Sequence, residues 1–315
     1  MLVGGALAGA VLSLVSAFSF SVNAILVRRG IASAGATASQ GAFITVLLGV
    51  PFGLIAVAIT GQIFNFDEIS LNGYLLLALA GIVHFAFGRY CNYRAIGAVG
   101  AARAGPIQAV TVPYSVGMAI VLLDEKVTFL MLLGITLILF APVVMIERKS
   151  LSFGSKEGPE GGQFELRQVE GYSFAVLAAI AYGTSPLLIR SVVEDSTRTA
   201  AIGTFAAYFG ASALLVATLA IPSRRELMGT INIRYMRLFG GAGLAVFLAQ
   251  LLRFFALSVA DVVVVNPLQR LVNVFTLLLS YAVNRSIEKI NLRVVISVFI
   301  SLAGSGLLVF AAINS

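Results

Sequence analysis

Tryptophan is absent from these 315 residues, cysteine and histidine occur once each, and only 11% of the side chains are charged. The lone Cys91 excludes an intramolecular disulfide, and with one histidine no Cys/His spacing offers a structural metal site. The scarcity of charge settles the solvent, because soluble chains carry about a quarter of their residues charged. Here 59% are apolar and the mean hydropathy is +0.99, which marks an integral membrane protein. An excess of 21 Lys+Arg over 14 Asp+Glu would suggest nucleic acid in a soluble chain; here it fits cytoplasmic loops facing anionic lipid, and nucleic acid is discarded as a partner. The N-terminus lacks a basic leader and runs apolar for more than 20 residues, so it reads as the first membrane helix. No nucleophile–base set, metal cluster or phosphate loop is present, so no enzyme and no cofactor is expected.

Apolar segments lie near 3–27, 36–60, 72–93, 104–123, 128–146, 172–193, 200–221, 238–258, 262–283 and 292–313. The long hydrophilic stretch 147–171, rich in glycine and in charges of both signs, reads as a linker between halves 1–146 and 172–315. Three pairs of segments support a duplication. AFSFSVNAILVRRG at 17–30 lies against AIAYGTSPLLIRSV at 179–192 with an offset of 162. GPIQ at 105–108 lies against NPLQ at 266–269 with an offset of 161, and DEK at 124–126 against IEK at 287–289 with an offset of 163. Five spans per copy force the second copy to enter from the opposite side. The expected fold is therefore an all-α integral membrane protein, ten transmembrane helices as two inverted five-helix repeats around a central cavity. One face collects 15 basic loop residues and the other three, Lys126, Arg190 and Arg198. The positive-inside rule then makes the rich face cytoplasmic and puts both termini outside a cell (plasma or inner) membrane.

Polar groups inside spans mark the face turned to a cavity. In the ninth span Asn266, Gln269, Asn273, Thr276 and Ser280 form one stripe beside Pro267, whose ring removes a backbone donor and bends the helix. The fourth span repeats this more weakly with Pro106, Gln108, Thr111 and Ser115, while the first offers Asn23 and the sixth Tyr182 and Ser185. Hydroxyls and amides of this kind also serve as packing glue between helices. Arg89, Arg253 and Arg270 fall inside spans and no Asp or Glu does, which predicts an electropositive cavity. Arg270 lies about 12 Å into its span, too deep for easy escape, and binds either the solute or, as a structural residue, helix-end carbonyls or an end carboxylate such as Asp261; Arg89 and Arg253 are near enough to span ends to snorkel. His84 is a candidate for proton coupling, against the plainer role of a packing residue.

Phe20–Asn23 with Tyr182–Ser185, Pro106 with Pro267 and Glu125 with Glu288 give the chain a pattern that resembles the EamA-like families of the drug/metabolite transporter superfamily, over essentially its whole length. The resemblance implies a ten-helix basket, a cavity lined by helices 1, 3, 4, 6, 8 and 9 that opens alternately to each side, and a small metabolite as cargo, often exported. The two Glu residues would be structural. Two features depart from the family pattern: members often carry a Trp in the first-helix motif, and their termini are usually drawn in the cytoplasm. The expected function is a secondary transporter or exchanger of a small polar metabolite in the lipid bilayer, with a carboxylate or phosphate group on the cargo as the narrower expectation. A channel-like facilitator and a non-transporting scaffold or sensor subunit are the alternatives. Asn266, Arg270 and Asn273 have no counterpart in the first half, where Gly105, Ala109 and Val112 stand, so they are the residues expected to set specificity.

Overall fold

In hydrocarbon a backbone must satisfy its own polar groups, and long apolar runs do this as helices. The computed structural model describes residues 2–114, 118, 128–145, 167–193, 197–259, 265 and 268–313, with the side chains of 2–7, 190, 309, 312 and 313 left aside. Every element among them is helical. In chain order they are α1 (Leu2–Ala34), α2 (Ala38–Ile59), α3 (Leu71–Val99), α4 (Ala101–Gln108) and α5 (Phe129–Val144), then α6 (Gln168–Val193), α7 (Ala200–Ala217), α8 (Ile233–Val259), α9 (Val272–Val283) and α10 (Leu292–Ile313). A two-turn helix, Pro222–Gly229, lies on the surface between α7 and α8. Among the described residues six helices are long and apolar enough to cross a membrane: α1, α2, α3, α6, the stretch Ala200–Ala220 that contains α7, and α8. Phe129–Val144, Val272–Val283 and Leu292–Leu308 are shorter apolar helices.

Local sequence explains the starts. Thr37 and Gln40 form a capping box at α2, and the Ser70 and Thr128 hydroxyls accept from the third backbone N–H of α3 and α5. α3 passes into α4 through Gly100 at φ +90°, a conformation only glycine adopts without strain. Outward faces stay apolar, with Leu54, Leu75, Phe140, Phe209 and Leu278 exposed, while many of the buried positions are polar. This inverts a soluble fold and suits lipid outside and a polar interior.

The packing has a two-fold character. α1 lies along α8 as α6 lies along α3, α9 meets α1 as α4 meets α6, α2 meets α8 as α7 meets α3, and α5 packs on α10. Two of these crossings are close because glycine lets backbones touch. A Cβ on Gly81 of α3 would stand 1.8 Å from the Ala207 carbonyl oxygen of α7. Gly134 of α5 and Gly304 of α10 face each other's carbonyls, each at 2.8 Å from a built Cβ.

Three expectations need correction. α1 extends to Ala34 and α3 to Val99, so Arg28 and Arg94, two of the 15 basic residues assigned above to loops on the rich face, are helix residues. Arg28 is 1% exposed and donates to the Gly97 and Ile287 carbonyls, and Arg103 is 2% exposed and donates to that of Lys289. Neither is available to lipid head groups. Arg89, 2% exposed and ten residues from the end of α3, does not snorkel, and Arg253 is buried too. Of the linker 147–171, residues 167–171 are described, and α6 already begins at Gln168. Asn266, Pro267, Ser115, Asp124, Glu125 and Asp261 lie outside the described residues.

Candidate functional site

The polar residues of the interior meet in a central cavity of about 130 Å³, walled by α1, α3, α4, α6, α8 and the α9 segment. Asn23, His84, Arg89, Gln108 and Tyr182 reach it from the first four of these helices, and Arg253, Gln269, Arg270 and Asn273 from the last two. All of the expected binding residues among those described line this one cavity.

Their bonding separates them. Asn23 is spent on structure, its amide donating to the Tyr93 hydroxyl and the Ala242 carbonyl, both at 2.9 Å. Arg89 is held as firmly: it donates to the Thr45 carbonyl at 3.1 Å and the Tyr208 hydroxyl at 2.8 Å, with the Phe85 and Tyr208 rings about it. Gln108 donates to Asn92 at 2.6 Å, and Gln269 to the Ser16 hydroxyl at 2.9 Å, which itself donates to Ala249. These contacts tie helices together across the cavity wall. The Asn273 amide oxygen instead packs against α4, where a Cβ on Gly105 would stand 2.5 Å from it.

His84 lies in a π-helical turn, Ile82–Gly88, whose wider winding lets the Arg89 N–H donate to the His84 carbonyl five residues back. In a plain α-helix residues five apart face different directions; the wider turn brings both onto the cavity side. His84 Nε2 meets the Gln250 amide at 2.8 Å and its Nδ1 the Ser185 hydroxyl, so the ring links α6 to α8. The Tyr182 ring lies 4.4 Å away, tilted against it.

Arg253 and Arg270 both line the cavity, each has a buried Nε with no hydrogen-bond partner among the described residues, and their charges repel one another. Among the described residues no carboxylate lines this space. Arg270 stands where the helix is broken: residues 270–271 form a turn, with the Leu271 and Asn273 N–H groups bonding three residues back. Residues 109–110 form the same turn after Pro106, with the Val110 and Val112 N–H groups doing likewise. The two breaks are 161 residues apart, the offset of GPIQ and NPLQ.

A family model for the EamA-like transporter family matches residues 7–146 and 169–310. The chain belongs to the EamA-like transporter family. As a member it is a multi-pass membrane protein of a group of transporters within the drug/metabolite transporter superfamily, acting in a lipid bilayer on small molecules. No curated protein matches it. A solved structure described only as a crystal structure of a protein aligns over 97% of this EamA-like chain and 98% of its own, with TM-score 0.63 and 14% identity, a likeness of fold alone.

Asn92, Tyr93 and Gln250 also line the cavity, which the sequence reading does not predict. The third span was taken to stop at residue 93, which left Asn92 at a membrane edge, and the π turn changes which side of α3 faces inward. Gln250 carries a usable signal, standing three residues before Arg253 on the same face of α8.

Proposed function

We propose that this EamA-like protein is a secondary transporter that moves a small polar, anion-bearing metabolite by alternating access. Its ten spans form two inverted five-helix halves, 1–146 and 172–315, joined by a hydrophilic linker. The paired packing of the halves and the matching breaks at 109–110 and 270–271 support the duplication. Arg270 carries the functional reading: a charged side chain at a helix break, lining the cavity, with no carboxylate beside it among the described residues. The hydrogen-bonded residues Asn23, Arg89, Gln108 and Gln269 shape the wall around the solute, and Tyr182 supplies an aromatic surface. His84, held as a link between α6 and α8, keeps proton coupling as a secondary role.

Arg29, Arg94, Arg167, Arg224 and Arg234 lie at one end of the bundle, bound to Asn284, Glu170, Ser39 and Ser33, while Arg198 pairs with Glu68 at the other. The basic end is the cytoplasmic one, with both termini outside.

The test is counterflow in proteoliposomes loaded with candidate carboxylates and phosphate esters, comparing wild type with Arg270→Gln. We expect saturable flux that falls at least tenfold in the variant with folding intact. Undiminished anion flux rejects the role of Arg270, and non-saturable flux points to a pore. Tags on both termini, probed in intact cells, test the orientation; a protected terminus overturns it.

A further inference from the structure

The protein pairs the other buried arginines it points inward. Arg28, Arg89 and Arg103 all donate to carbonyls or hydroxyls; Arg253 and Arg270 line one cavity, each with a buried Nε that has no partner among the described residues, and they repel each other. A buried charge is tolerated when a counter-charge meets it, and no described carboxylate lines the cavity. A single negative charge neutralises one guanidinium and leaves the other uncompensated. We propose that the cavity is built for a doubly negative solute held between Arg253 and Arg270, and that the empty carrier does not reorient, so that the protein exchanges one dianion for another.

Two chemistries supply such a charge pair, a short dicarboxylate and a phosphate monoester, and both match the planar fork of a guanidinium. Asn273, packed against Gly105, offers an amide beside them, and Tyr182 on His84 offers a flat apolar face for a carbon skeleton. Exchange follows from the same charges. During the occluded step the cavity is cut off from water, and two unneutralised guanidiniums raise that barrier, whereas a bound dianion removes it. The exchange step rests on the transport reading above; the dianion site does not.

The experiment uses the full chain in nanodiscs. Melting is followed with a thiol-reactive dye on Cys91, the only cysteine and a buried one. Sulfate, succinate and glycerol 3-phosphate are compared with chloride and lactate at equal ionic strength. We expect the dianions to raise the melting temperature by 3 °C or more and the monoanions to leave it within 1 °C. Arg253→Gln and Arg270→Gln each remove most of that rise, and neither melts below wild type without ligand, because each deletes one of two repelling charges. The larger of the succinate and glycerol 3-phosphate shifts identifies the chemistry. Equal shifts from monoanions and dianions, or a dianion shift that survives in both variants, overturn the site. In proteoliposomes, uptake of the stabilising dianion is expected at least tenfold faster into vesicles preloaded with it than into empty ones, and equal rates overturn exchange. No uptake under either condition, with the melting shift intact, rejects the transport reading and leaves the dianion site standing.

Discussion

Replacing Glu288 tests how the basic end of the bundle is held shut. This carboxylate, 9% exposed, lies between α9 and α10 and accepts from the Ala101 and Ala102 N–H groups at 2.9 and 3.2 Å, so it caps the start of α4 across 187 residues of chain. Glu288→Ala strands two buried donors at about 1–3 kcal/mol each, roughly 2–6 kcal/mol together. At about 2–4 °C per kcal/mol that is a fall of roughly 4–24 °C. Glu288→Gln keeps one acceptor and sheds a buried charge, so its loss is the smaller. Burial holds the Glu288 carboxyl above the usual carboxylate range, against the pull of the two N–H groups and of Arg28. A raised folded value means stability that is complete below the unfolded value of 4.5 and is lost as pH rises through the folded one. Wild type therefore loses ground to Glu288→Gln as pH is raised from about 4.5 to neutrality. The Cys91 dye assay across pH 4.5–7.5 reads both effects. An alanine variant melting within 2 °C of wild type, or a wild-type advantage over the glutamine variant that grows with pH, refutes the reasoning.

Other substitutions probe the bundle and the cavity wall. Gly81→Ala drives a Cβ into the Ala207 backbone, so α3 and α7 separate; we expect a cost of about 1–3 kcal/mol or more, read as a lower melting temperature. Arg89→Lys keeps the charge but cannot span the Thr45 carbonyl and the Tyr208 hydroxyl; a stability loss of about 1–3 kcal/mol with KM for the solute little changed is the expected result, and a large KM effect alone contradicts it. Gly105→Ala displaces the Asn273 amide, whose end can rotate, so KM in the flux assay rises severalfold while the melting temperature stays within about 3 °C.

The helical repeat and the cavity-facing positions were legible because hydropathy, a paired proline and a constant offset are local signals. The packing partners were not. Arg28 reads as a loop charge until Ile287, 259 residues on, supplies the carbonyl that holds it. Arg89 reads as a free cation until Tyr208 of the other half takes its donor. The π turn at His84 leaves no trace in composition, since the same residues serve either winding, and it alone decides that His84 and Arg89 share a face. Arg270 differs from these: its depth in the span was readable from hydropathy alone, and it lines the cavity with its Nε unpartnered among the described residues.

The matching breaks at 109–110 and 270–271 hold one more consequence. The backbone treats the two halves alike, but the first break carries Ala109 where the second carries Arg270, and Arg253 belongs to the second half too. A carrier of this kind is geometrically even-handed and electrically lopsided. A membrane potential does work of about 2.3 kcal/mol per charge per 100 mV on whatever charge crosses it. On the proposal of a dianion site, the second half is close to neutral with the solute bound and dipositive without it, so a membrane potential would act on the empty state and spare the loaded one.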